Sequence, residues 1–235
     1  MYHQDIKKVF IAILANSKVD KFLFDQVGHR RVLDHTIANC HSARLYSNKF
    51  TIKKRYEVSA GMVVPEEDVL VSAFSQDINT FEMPPYLDDL QKLVGVVRDN
   101  DYLCLVRANN PFLPPYIISK LISIAAMNSY DFLTNVSDLN PEGLECEVLS
   151  RKMLGWLNEN ASEDDGRKNL TPLALDLSPH WAKIGITIGH FDHSYRSYSV
   201  ASQDDLDGLR EEYEKVGSTL RKFEGKCGRN FIHRL

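Results

Sequence analysis

The sequence predicts an α/β fold with a mostly parallel, doubly wound sheet, and three observations carry that prediction. Uninterrupted apolar runs occur at VFIAILA (Val9 to Ala15) and YLCLV (Tyr102 to Val106), as strands covered on both faces require. Segments with helical spacing of apolar residues alternate with these and other strand-like runs along the whole chain. A length of 235 residues suits one open α/β unit. The only linker-like stretches are residues 160–169 and the tail over 225–235, so a single domain spanning 1–235 is expected.

The elements follow in order. After the first strand and a short polar loop, NSKVDK, the segment VLDHTIANCHSA places Val32, Leu33, Thr36, Ile37 and Cys40 on one helical face. NKFTIKKRYEV and DVLVSAF read as strands. PPYLDDLQKLVGVV reads as a helix begun by Pro84 and Pro85. The strand at YLCLV runs into a proline-punctuated loop, and PYIISKLISIAAMN follows as an amphipathic helix with Pro115 in its first turn. YDFLTNV is a short strand, and LECEVLSRKMLGWLNEN passes from strand to helix. KIGITIGHF and RSYSVAS read as strands, and DDLDGLREEYEKVGSTLRKF closes the pattern as a helix.

Composition narrows the function classes. A net charge of −4 with 26% charged residues gives no basic stripe of the kind nucleic acid demands. Cys40, Cys104, Cys146 and Cys227 form no C-x-x-C pair, which argues against a zinc site and for a reducing compartment. Cys104, inside an apolar run, is expected to be a buried, inert thiol. The apolar stretch near the first residues is shorter than a membrane span and has no signal-peptide pattern. A cytoplasmic protein without membrane or nucleic-acid partners is the expectation.

Several chemical motifs are weak or absent. No G-x-G-x-x-G or G-x-x-x-x-G-K-S/T occurs, so dinucleotide and P-loop readings have no support. Asp99-Asn100-Asp101 precedes its strand instead of following it and reads as a turn. His180, His190 and His193 fit a surface loop better than a metal site, and FDHSYRSY fits an exposed hairpin or a subunit contact, which leaves room for a homodimer. Glu145 and Glu147 alternate about Cys146 in an extended stretch, so both carboxylates point to one face. They suit hydroxyl binding or a relocated metal there, and equally a polar strand face or a helix cap.

Four blocks in order resemble the cytidylyltransferases of spore-coat polysaccharide biosynthesis, relatives of the acylneuraminate and KDO cytidylyltransferases. NPEGLECEVLSRKML (Asn140 to Leu154) is similar to the family's P-x-G-L-D/E-x-E-x-F/L-S block on the sugar side of the site. RANNPFLPP resembles the G-D-x-P-L/F loop, RKNLTPLAL the R-E-H-V-T-P-Y stretch, and SVASQDDLDGL the V-D-T-P-E-D-L segment. The likeness covers nearly the whole chain and is weakest between about Asn48 and Phe81. It implies a glycosyltransferase-A-like nucleotidyltransferase fold. The implied reaction is CTP plus a sugar giving a CMP-sugar and pyrophosphate, by in-line attack of a sugar hydroxyl on the α-phosphate with Mg²⁺ and cations neutralising charge.

The resemblance also assigns residues. Ala15, Lys18 and Lys21 fall in the loop that receives base and triphosphate, with Lys21 at the loop's final lysine. Arg107, Asn109 and Asn110 fall in the loop after the central strand, Glu145, Glu147, Arg167 and Thr171 on the sugar side, and Asp205 at a late acidic position. The departures fall on the phosphate side. NSKVDK is shorter than the family loop and lacks its two arginines and its glycine. The two metal-holding aspartates fall on Asn109 and Ala201, so Mg²⁺ loses both carboxylates. Asp205 suits the amino end of a helix. Three readings therefore stand: a divergent transferase, a catalytically impaired homologue that binds a nucleotide sugar or serves as a partner subunit, and a sugar transferase of similar architecture.

Overall fold

The computed structural model describes residues 6–16, 20–50, 56–65, 79–83, 93–95, 97–138, 140–162, 170–187 and 197–224. Its strands are β1 (Lys7–Leu14), β2 (Gln26–Val27), β3 (Arg30–Arg31), β4 (Tyr56–Pro65), β5 (Asn79–Met83), β6 (Tyr102–Arg107), β7 (Phe132–Thr134), β8 (Glu147–Ser150) and β9 (Ile184–Ile186). Its helices are α1 (Val32–Phe50), α2 (Pro115–Asn128), α3 (Arg151–Asn160), α4 (Leu170–Asp176) and α5 (Gln203–Glu224). Seven strands form one sheet in the order β5-β4-β1-β6-β8-β7-β9, and β2 with β3 makes a separate hairpin. All neighbouring pairs are parallel except those of β8, which runs against both β6 and β7.

The two apolar runs are adjacent. β1 pairs with β6 from Val9↔Tyr102 to Leu14↔Arg107, and Val9 to Ile13 are all buried. Strand alternation divides them between two cores. Val9, Ile11 and Ile13 face a layer containing α1, α2 and the buried Leu206 and Leu209 of α5. Phe10 and Ala12 face α3 and α4 through Met153, Leu154, Leu157, Leu170 and Leu173. Each such fully buried aliphatic side chain contributes roughly 1.5–3 kcal/mol relative to exposure.

Helix ends follow their sequence signals. Pro114 precedes α2 and Pro115 fills its first turn, where a missing N–H costs nothing. Ser129 ends α2 in a left-handed conformation and its N–H bonds to the Ala125 carbonyl. Ser150 caps α3, its Oγ accepting from the Met153 N–H at 3.0 Å.

Some expectations are corrected. The strand expected over NKFTIKKRYEV begins only at Tyr56, because α1 continues to Phe50. The cause is tertiary: the Asn48 amide exchanges two hydrogen bonds with the backbone of Val58, which anchors the helix end to β4. Of RSYSVAS, the described residues 197–202 form a single bridge, Ser197 to Glu142, and no strand. The hairpin β2–β3 and helix α4 are elements that the sequence reading did not name. The expected strand DVLVSAF and most of the helix expected over residues 84–97 lie outside the described residues.

Gly143 sits where a side chain cannot. Its φ is +85°, and a Cβ there would lie 2.1 Å from the Ser199 nitrogen, so the 197–199 segment crosses directly over it. Gly143→Ala is therefore expected to destabilise the fold by on the order of 3 kcal/mol, through backbone strain and a clash with immobile main chain. Urea unfolding of the two proteins measures this, and a loss below about 1 kcal/mol would contradict the crossing.

Candidate active site at the carboxyl edge of the sheet

Open α/β sheets present ligand sites outside the carboxyl ends of their parallel strands. Here that edge carries Ala15 just past the end of β1, the end of β6 at Arg107 and the end of β7 at Thr134. Because β8 is reversed, the residues preceding it reach the same edge, which brings Glu145 and Glu147 into the site. The alternation expected from the sequence is observed: Cys146 is buried between two partly exposed glutamates.

One cation organises this edge. Arg107 is exposed at the end of β6, and its charge acts on Asp20, Glu145 and Glu147 together. Burial dominates all three carboxyls and opposes their ionisation. It pushes Asp20 up to about 6 against the pull of Arg107 and an Asn16 hydrogen bond. Glu145 is pushed up to about 7, with Glu142 and Glu147 adding repulsion and Arg107 and the Ser137 backbone opposing them. Glu147 is also raised by burial, and Thr171 resists this through a hydroxyl that donates to Oε1 at 2.5 Å. Thr171 is itself buried on α4 and also lies 3.4 Å from the Thr134 hydroxyl. The two glutamates thus differ: Glu147 is tied to α4, whereas Glu145 is held by the 137 loop.

The Asn109 and Ala201 segments meet, since the Val200 N–H donates to the Asn109 carbonyl at 2.9 Å. α1 fixes the loop after β6, with Thr36 Oγ1 donating to the Ala108 carbonyl at 2.8 Å and Asn39 to the Pro111 carbonyl at 2.9 Å. Asn110 is buried, and the side-chain oxygens of Asn109 and Asn110 have no hydrogen-bond partner among the described residues. Asn109 carries a neutral amide and Ala201 a methyl, so neither position supplies the carboxylate that usually anchors Mg²⁺. No group of three or more His, Cys, Asp or Glu side chains among the described residues could hold an ion either.

The remaining assigned residues divide as follows. Asp205 belongs to a capping box: Oδ2 accepts from the Ser202 N–H at 2.9 Å and the Ser202 hydroxyl at 2.8 Å, while the Asp205 N–H bonds back to Ser202 Oγ. The Ala15 N–H donates to the Val63 carbonyl at 3.0 Å. Lys21 is exposed in the turn before β2. Lys18, Arg167, His190 and His193 lie outside the described residues. Asp99 to Asp101 stand at the opposite edge, where Asp101 accepts from the Lys8 N–H at 2.8 Å. Sequence reasoning missed Asp20, which looks like an ordinary loop charge until folding brings it within the electrostatic reach of Arg107. It missed Thr134 as well, a strand residue with no motif around it.

No family model matches the sequence, and no curated protein does. Solved structures match its fold. A cytidylyltransferase from Leptospira borgpetersenii superposes with a TM-score of 0.73 at 16% identity, covering 97% of this chain and 100% of that one. A CMP:2-keto-3-deoxy-manno-octonic acid synthetase in complex with CTP gives 0.60 at 8% identity over 89% and 100%. A Mycobacterium tuberculosis protein solved with manganese gives 0.58 at 14% identity over 87% and 98%. The chain therefore has the α/β nucleotidyltransferase fold of these proteins. No helix among the described residues is long and apolar enough to cross a membrane.

Two outcomes follow from the carboxyl cluster. Glu145 binds protons more readily in the folded state than its ordinary 4.5, so stability is present below that value and is lost as pH rises through about 7. Glu145→Gln is expected to raise stability at pH 8 by on the order of 1 kcal/mol after solvent screening, and to have almost no effect at pH 4.5. Denaturation at both pH values measures this, and an equal gain at the two would contradict it. Thr171→Val removes the donor from Glu147 and leaves a raised carboxyl without support, with an expected loss of roughly 1–3 kcal/mol at neutral pH. That loss shrinks when Glu147→Gln is present, which a double-mutant cycle reads.

Proposed function

We propose that the protein is a cytidylyltransferase-type nucleotidyl transferase of glycan-precursor synthesis, taking CTP and a sugar at the carboxyl edge of its sheet. The observation that carries this reading is the convergence of Arg107, Glu145, Glu147 and Thr171 on that edge, in a fold matched by cytidylyltransferases. In this reading a sugar hydroxyl attacks the α-phosphorus, the bond to the β-phosphate oxygen breaks, and pyrophosphate leaves. Glu145 and the Glu147–Thr171 pair hold sugar hydroxyls. Arg107, at the end of β6, offers a cation to the phosphates, with Asn109 and Asn110 in the loop that follows it. Lys18, Lys21 and Arg167 complete the assignment from the sequence.

A second reading is favoured by Asn109 and Ala201: a homologue that binds the nucleotide sugar, or assists a partner subunit, with little turnover. Two neutral side chains stand where charge would neutralise a triphosphate, and that electrostatic contribution dominates phosphoryl and nucleotidyl transfer. Calorimetric titration with CTP, with and without Mg²⁺, and pyrophosphate release across candidate sugars separate the two readings. Binding with release supports transfer, binding without release supports the second reading, and no binding removes both. Installing Asn109→Asp with Ala201→Asp is expected to raise Mg²⁺ affinity more than the two single changes combined, since ligands sharing one ion are coupled. Strictly additive effects would mean that the two positions do not share an ion.

A further inference from the structure

α5 packs more than the core. Leu206 and Leu209 are buried, and the next turn carries Arg210 and Tyr213 onto the hairpin β2–β3. Arg210 Nε donates to the Gln26 carbonyl at 2.8 Å, and its guanidinium lies 3.9 Å from Asp25. Asp207, 2.9 Å away, holds the guanidinium in place. The Tyr213 hydroxyl is 2.8 Å from His29 Nδ1. Its ring lies directly against Gly28, where a Cβ would fall 2.1 Å from Tyr213 Cε1 and where φ is +65°. Both features exclude a side chain at 28.

The contact extends inward. His35 of α1 has its ring 5.8 Å from that of Tyr213 and 6.3 Å from that of His29, and it stacks on Phe112 at 6.2 Å. Phe112 belongs to the loop after β6 that also carries Asn109 and Asn110. His35 Nε2 is 2.9 Å from the Val27 carbonyl, which can only accept, so the proton sits on that nitrogen. Burial, with Arg30 and His29 nearby, favours the neutral ring. At the amino end of α5, Asp205 caps Ser202, and the Val200 N–H just before the helix donates to the Asn109 carbonyl. From Gln203 to Tyr213 a helix rises about 15 Å. α5 with the residues leading into it thus joins the hairpin β2–β3 to the loop after β6.

We infer that Arg210 and Tyr213 are positioning residues for nucleotide binding: they clasp the 25–29 segment against the Phe112 loop and so hold the turn carrying Asp20 at its place in the site. The turn is short and continuous with the hairpin, since the Leu23 N–H bonds to Asp20, the Asp25 N–H to Phe22 and the Val32 N–H to Asp25. A shift of the hairpin therefore moves Asp20 relative to Arg107. This inference rests on the nucleotide-binding reading above.

The test uses the full chain and CTP as the probe, titrated by calorimetry well below the unfolding temperature. Arg210→Ala with Tyr213→Phe is expected to raise the Kd for CTP about tenfold, equivalent to 1.4 kcal/mol, with the binding stoichiometry unchanged. A contribution to folding alone would lower the stoichiometry and leave Kd as it was, and that result overturns the inference. Gly28→Ala is expected to weaken CTP binding likewise, and less than additively when Tyr213→Ala has already removed the ring it strikes. Additive effects overturn the clasp. If the unmodified protein takes up no CTP, the nucleotide reading fails, and amide hydrogen exchange then decides the clasp by itself. Residues 23–33 are expected to lose protection in Arg210→Ala with Tyr213→Ala while β6 and β8 keep theirs, and unchanged protection at 23–33 overturns it.

Discussion

The parallel pairing of β1 with β6 is the constraint from which the rest of the molecule follows. Val9 to Ile13 and Tyr102 to Val106 are buried, so helices must cover both faces, and the shared strand direction puts Ala15 and Arg107 at one edge. Every element of the candidate site is then defined by its distance from that edge. β4 extends the sheet on one side in the same direction, and β8 interrupts the pattern on the other. The interruption is what brings residues preceding a strand, Glu145 among them, to a place otherwise reached only by residues that follow one.

The site that results is electrostatically lopsided. The charge of Arg107 acts on Asp20, Glu145 and Glu147, whose carboxyls burial has already made reluctant to ionise. The Glu147 carboxyl is held by the Thr171 hydroxyl, and beside it the Asn135 amide donates to the Leu144 carbonyl at 2.8 Å. The loop after β6 is held firmly by α1, yet its two asparagine oxygens have no partner among the described residues.

How much of this was readable depends on what each signal encodes. The runs at β1 and β6 are legible because unbroken burial leaves no other pattern of side chains. The face shared by Glu145 and Glu147 is legible because strand alternation is local. Strand direction is not local, so the reversal of β8 has no trace in LECEVLS. The end of α1 was misplaced because Asn48 chooses between helix and turn according to Val58, ten residues later. The Tyr213–His29 contact joins residues 184 apart, and no motif spans such a separation. Asp20 escaped for the same reason, since its significance lies in Arg107 and not in its neighbours.

Three thiols mark the middle of the molecule. Cys104 on β6, Cys146 just before β8 and Cys40 on α1 are all free and within 2% of complete burial. Burial raises Cys40, and the Cys104 hydrogen bond with burial raises Cys146, so neither is disposed to form the nucleophilic thiolate. Cys104 and Cys146 lie at the seam between β6 and the reversed β8, so their alkylation requires that seam to part. With a small thiol reagent fast enough to outrun reclosing, the rate at which these two positions are consumed is a clock for that parting, set by the protein's own breathing; with a slower one it measures the population of the parted form.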